Sequence, residues 1–155
     1  NGTTTRGGEF SLNYQINKQL NLYAFFAHIN IENTTLKATA ESRYDQTAPK
    51  NSGGLMLNKQ WNNGLNASLV YYNVGDMDWG DRTGTRSAQA YQKLDLRIAR
   101  TIRMGSSIME LALLGQNLYE NFSDYNNTTF NNDGSLNRAG SLQERKFYID
   151  IKVSF

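Results

Sequence analysis

Residues 145–155 read RKFYIDIKVSF, and the sequence ends on Phe155. In an extended chain Phe147, Ile149, Ile151, Val153 and Phe155 share one face, while Lys146, Tyr148, Asp150, Lys152 and Ser154 share the other. Side chains in a strand alternate with a period of two, so this segment predicts a β-strand with one greasy face and one polar, charged face. Such a strand can end a soluble sheet or line a membrane barrel. The remainder of the chain decides between the two.

The composition narrows the classes. At 155 residues the chain fits one ordinary domain. Its 16 basic and 14 acidic side chains leave a net charge of +2, too slight to argue for nucleic acid or an anionic surface. The mean hydropathy is −0.62, and no run approaches the roughly 20 apolar residues of a spanning helix. That excludes helical spans but not a membrane barrel, whose strands turn only every second residue to lipid. The absence of Cys excludes a disulfide scaffold. One Pro, 13 Gly, nine Tyr, seven Phe and two Trp fit an antiparallel β-protein. The opening NGTTTRGGE has neither the basic start nor the apolar core of a signal peptide, so an exported protein would carry its leader outside these residues.

Seven stretches alternate, and none shows a sustained helical period, so the expected class is all-β. They cover about 6–17, 20–32, 53–61, 65–79, 91–103, 107–118 and 145–155. The fifth is the cleanest, with Leu94, Leu96, Ile98 and Ile102 against Lys93, Asp95, Arg97 and Thr101. The second is apolar on both faces (Leu20, Leu22, Ala24 and Phe26 against Tyr23, Phe25, Ala27 and Ile29), so alternation leaves its orientation open.

The connections carry more information than the strands. Tight turns are expected at Asn17–Gln19, at the Asn-Gly signal of Asn62–Gly64, and around Gly105. Between them lie long polar links at about 33–52, 80–90 and 119–144. Short and long links alternate strictly. In an up-and-down sheet this sorts all short turns to one end and all long loops to the other, as in outer-membrane barrels. With Phe155 at the periplasmic end, counting back puts Asn1 at the extracellular end. Seven strands starting outside make an incomplete sheet with unpaired edges, so the chain is expected to be the carboxy-terminal segment of a larger barrel.

Four places then resemble the last third of a TonB-dependent receptor, a plugged transporter barrel of about 22 strands. Arg6-Gly7-Gly8-Glu9 resembles the arginine-glycine-x-glutamate entry to a strand, and Ala48-Pro49-Lys50-Asn51-Ser52 resembles the proline-containing approach to the next downward strand. Leu94-Asp95-Leu96-Arg97, followed by Gln116-Asn117-Leu118-Tyr119-Glu120-Asn121, resembles the family's "DLR … NNLFD" hairpin. The terminal strand closes the set, with Phe155, Val153 and Ile151 as the signal read by the barrel-assembly machinery. The resemblance implies a bacterial outer-membrane location and energised uptake of a scarce ligand such as a ferric siderophore. It also implies a plug domain, a TonB-engaging box and further barrel strands outside these residues.

No nucleophile, base and orienter can be assembled, so no enzyme, cofactor or catalytic residue is expected. His28 is the only histidine and has no second His or Cys at metal spacing; it reads as a structural or lumen-facing residue. Asp124, Asn131 and Asp133 lack the EF-hand spacing and read as part of a solvated loop. Lys93, Asp95, Arg97, Glu110, Asp150 and Lys152 are the candidate lumen charges, a ladder that keeps the interior wet or a docking wall for the plug. Trp61, beside a short turn, is expected at the periplasmic interface, and Trp79 and Tyr119, where strands meet long loops, at the outer one. Two rival functions remain: a complete small outer-membrane barrel with a structural or adhesion role, and a soluble lipocalin-like binding barrel whose apolar faces point inward.

Overall fold

The computed structural model describes residues 3–33, 47–81, 84–124, 129–130, 136–138 and 141–155, with side chains described outside 33, 78–87 and 122–142. Its centre is one seven-stranded antiparallel sheet in up-and-down order. The strands are β1 (Thr3–Asn17), β2 (Leu20–Asn33), β3 (Asn51–Gln60), β4 (Leu65–Val74), β7 (Tyr91–Met104), β8 (Ser107–Gln116) and β13 (Lys146–Ser154). The all-β expectation holds, and the sheet leaves β1 and β13 as its two edges. No helix among the described residues is long and apolar enough to cross a membrane.

The three tight links fall where their residues predict. Gln19 N–H donates to Asn17 Oδ1 (2.9 Å) in the β1–β2 turn. Gly64 and Gly105 take positive φ (81° and 62°) in the other two, a conformation that costs glycine nothing. β1 carries a bulge at Ile16, between the pairs Gln15↔Asn21 and Asn17↔Leu20.

The long links are less irregular than the sequence predicts. The stretch expected as one strand over 65–79 breaks at Gly75, whose N–H donates to Asn51 O (2.9 Å). The chain then re-forms as a separate hairpin, β5 (Met77–Asp81) on β6 (Gly84–Ala88). The link expected as a solvated loop over 119–144 holds two nested ladders instead. Phe122–Asp124 (β9) pairs with Ser141–Gln143 (β12), and Thr129–Phe130 (β10) pairs with Leu136–Arg138 (β11). Asn131 and Asp133 lie outside the described residues.

Register settles the orientation of β2. Phe10↔Phe26, Leu12↔Ala24 and Tyr14↔Leu22 continue into Leu22↔Leu57 and Ala24↔Leu55, so Leu20, Leu22, Ala24 and Phe26 join the apolar face. That face runs unbroken through Leu57↔Leu69, Leu69↔Leu96, Ile98↔Leu113 and Leu113↔Ile149. Tyr23 and Phe25 belong to the polar face, where they form an aromatic row. Phe25 meets Tyr23 at 6.1 Å and Tyr72 at 5.7 Å between ring centroids. Gly54, which pairs with both Phe25 and Tyr72, makes this possible. A Cβ at Gly54 would stand 2.9 Å from Phe25 Cε1 and 2.7 Å from Tyr71 O, so the ring occupies the space a side chain would need.

The two faces are not equally covered. Ile98 and Leu113 on the apolar face are 42% and 57% exposed, whereas Ala99 and Ala112 on the polar face are 1% exposed. On these central strands the greasy side is the open one and the polar side the sheltered one, while β13 and nearly all of β1 are exposed on both faces.

Candidate functional site

Four of the six candidate lumen charges come together on the sheltered face. Arg97 Nη2 lies 2.7 Å from Glu110 Oε1, and Arg97 Nη1 donates to Asn66 Oδ1 at 2.9 Å. The pair is diagonal, because Arg97 stands opposite Leu114 and Glu110 opposite Thr101. Between them lies the Ala99↔Ala112 pair. Small side chains at these two positions let the guanidinium reach across to Glu110. Lys93 Nζ meets Asp95 Oδ2 at 2.9 Å along the same strand. These groups are about one-third exposed, so each pair contributes up to about 1 kcal/mol and keeps the surface hydrated more than it stabilises the fold. Lys152 faces Glu110 in register, while Asp150 faces Ala112 and is not brought into either pair.

Asp95 has a second task that its charge alone does not suggest. Its Oδ1 accepts the backbone N–H of Asn117 at 2.8 Å. Asn117 is 3% exposed and takes φ 60°, a left-handed conformation that Asn tolerates better than most residues. Its Nδ2 donates to Gln143 O at 2.6 Å, tying the end of β8 to the approach to β13. One residue further, Leu118 N–H donates to Leu94 O (2.7 Å), and Gln92 N–H donates to Glu120 Oε1 (3.3 Å). The Leu118–Leu94 bond is one residue out of the β7–β8 register, as in a bulge. The segments Leu94–Arg97 and Gln116–Asn121 are thus locked together at the rim by two bonds, with the Gln92–Glu120 bond just beyond them. Sequence reading singled out both segments but assigned no role to Asn117, Asn66, Ala99 or Ala112. The available signal was an Asn directly after a strand.

Above the charges, at the same end, a polar cavity of about 340 Å³ is lined by Tyr72, Tyr91, Lys93, Gln116, Asn117 and Lys146, among others. It contains no acid–base–nucleophile set. Among the described residues no group of three or more His, Cys, Asp or Glu side chains could hold a metal. His28 Nδ1 lies 2.8 Å from Asn51 Oδ1, its register partner. His28 stands on the face of Leu22, Ala24 and Phe26 rather than on the polar face.

The interface aromatics separate. Trp61 lies in the short β3–β4 turn, 40% exposed, with Lys59 Nζ 5.7 Å from its ring centroid. Tyr119, 56% exposed, follows β8 at the long-link end. Trp79 belongs to the β5–β6 hairpin opposite Arg86, beyond the end of β4, and its side chain lies outside the described residues. Of the terminal trio, Ile151 and Val153 pair with Leu111 and Met109 on the apolar face, and Phe155 is fully exposed beside the β7–β8 turn. No protein-family model matches this chain, and no curated protein matches it.

Proposed function

We propose that the chain forms part of the wall of an outer-membrane β-barrel in a TonB-dependent receptor that takes up a scarce ligand such as a ferric siderophore. One observation carries this reading: on the central strands the sheet is inside out for water, with its apolar face open, interrupted by Arg100 and Lys59 toward the short-turn end, and its charged face sheltered. Soluble monomers rarely expose an apolar patch beyond a few hundred Å². A lipid-facing wall requires one. On β7 the face from Leu94 to Ile102 spans eight steps, about 26 Å at roughly 3.3 Å each, with Arg100 as its one charged position. A strand tilt of about 40° reduces this to about 20 Å, near the roughly 25 Å apolar band of outer-membrane barrels. The sorting of short turns to one end and long links to the other supports the same reading.

The free edges argue against these seven strands closing on themselves. β1 and β13 both run from the long-link end to the short-turn end, so they would meet parallel. An antiparallel barrel needs an odd number of further strands between them. A lipocalin-like barrel would shelter its apolar faces, the reverse of what Ala99, Ala112, Arg97 and Glu110 describe.

The upstream reading frame is expected to encode a plug domain. Cells lacking the whole gene are expected to lose energised uptake of at least one labelled ferric siderophore under iron limitation. A frame without a plug domain, or uptake unchanged across a siderophore panel, would overturn the receptor reading.

A further inference from the structure

The polar cavity of about 340 Å³ lies on the sheltered face at the long-link end, where β4, β7, β8 and β13 contribute Tyr72, Lys93, Gln116 and Lys146 to its lining. Tyr72 stands in register with Lys93, and Gln116 with Lys146, so these side chains form two neighbouring pairs across the sheet. Asn117 and Gln143 complete the wall between β8 and the approach to β13. The volume falls at the small end of the roughly 300–1,000 Å³ typical of ligand sites.

One polar atom of this lining is left over. Asn117 is 3% exposed, and its Oδ1 is buried with no hydrogen-bond partner among the described residues. Turning the amide round does not help, because Nδ2 already donates to Gln143 O at 2.6 Å. Buried polar groups are nearly always paired, so this acceptor calls for a donor from whatever fills the cavity. We propose that the cavity binds a neutral mono- or disaccharide from solution, with a sugar hydroxyl donating to Asn117 Oδ1. The inference goes beyond the receptor reading and rests on it only in taking the sheltered face as the wet one.

Three features select this occupant. The charges in and beside the lining balance: Asp95 holds Lys93 at 2.9 Å, and Glu144 is opposite in sign to Lys146. An anionic or cationic ligand therefore finds no excess of the opposite charge. The amides of Gln116, Asn117 and Gln143 each carry donors and an acceptor, a set matched to hydroxyls, which are themselves both. The Tyr72 ring offers a flat surface to the C–H face of a sugar and is propped by Phe25, with centroids 5.7 Å apart. The cavity lies on the face opposite Ile98 and Leu113, which suits a sugar from solution rather than a glycan anchored in lipid.

The test titrates the full-length protein in detergent micelles with maltose, cellobiose, lactose, mannobiose, xylobiose and diacetylchitobiose, followed by calorimetry. At least one is expected to bind, with an affinity that changes less than about twofold between low and high salt, since no net charge is involved. Tyr72→Ala is expected to weaken that sugar about fivefold through loss of the ring face, and Gln116→Ala about fivefold through loss of a hydrogen bond. Gln116 is exposed, so its variant keeps the fold even where Tyr72→Ala disturbs the aromatic row. Binding of no sugar, binding abolished by salt, or affinity unchanged in both variants would overturn the sugar site. None of these results bears on siderophore uptake by whole cells, and unchanged uptake leaves the calorimetry standing, so the two readings fail separately.

Discussion

Ile98→Arg is expected to destabilise the bilayer-inserted protein by about 2–4 kcal/mol, the cost of a cation at mid-depth on a lipid-facing strand. Ile98 is exposed on the open face of β7 between Leu96 and Arg100, the face's own cation lying two residues nearer the short-turn end. Its register neighbours are Ala67 and Leu113, so an arginine there finds no carboxylate to pair with. Thr101→Arg, three residues along the same strand but on the sheltered face, is the control. Thr101 pairs with Glu110, so a new cation there meets a carboxylate and should change stability by less than about 1 kcal/mol. Urea unfolding of the full-length protein from lipid vesicles measures both. Equal losses in the two variants would mean that the faces are not distinguished by their solvent.

Asp95→Ala is expected to cost about 1–3 kcal/mol, more than the loss of a surface ion pair. The Lys93 contact is the smaller part, because Lys93 is more than one-third exposed and water screens it. The larger part is the Asn117 N–H, which sits in a residue 3% exposed and has Asp95 Oδ1 as its acceptor. Leaving that donor unpaired also frees the turn that holds Leu118 against Leu94 and Gly115. Lys93→Met, which removes the ion pair and keeps the acceptor, should cost under about 1 kcal/mol. Urea midpoints of the two variants, compared in the same lipid, separate the roles. A Lys93→Met loss as large as that of Asp95→Ala would assign the stability to the ion pair instead.

The strands were legible wherever one face was polar. β13 alternates cleanly and β7 does so except at Arg100, and their residues lie on the faces the period of two assigns. β2 was not legible, because Tyr23, Phe25 and Ile29 make its second face as greasy as its first. Only the pairing with β1 and β3, and the bare backbone of Gly54 under the Phe25 ring, orient it. The overrun to Trp79 has a similar cause. Asp76–Trp79 continues an alternating pattern past Gly75, where the chain leaves the sheet to bond Asn51. The ladders within 119–144 are two or three residues long, too short for any period to register among Asn, Gly and Ser.

The charges on the sheltered face were legible as a set but not as pairs. Arg97 reaches Glu110 diagonally because Ala99 and Ala112 are small, and Asp95 serves a backbone donor as well as Lys93. Such reach depends on register, which alternation alone does not give. Asn117 is the clearest case. Its left-handed turn fixes the rim and sets Leu118 beside Gly115, yet in the sequence it is one Asn among many.

The central claim is that the open apolar face meets lipid and the sheltered face meets water. The chain contains no cysteine, so single cysteines for spin labels can be placed one at a time along β13 of the full-length protein in liposomes. Power saturation with oxygen and with a polar nickel relaxer then reads the surroundings of each label. Positions 147, 149, 151 and 153 are expected to be accessible to oxygen and shielded from nickel, and positions 146, 148, 150 and 152 the reverse. A profile without this period of two, or one with nickel reaching the odd positions, would contradict the account.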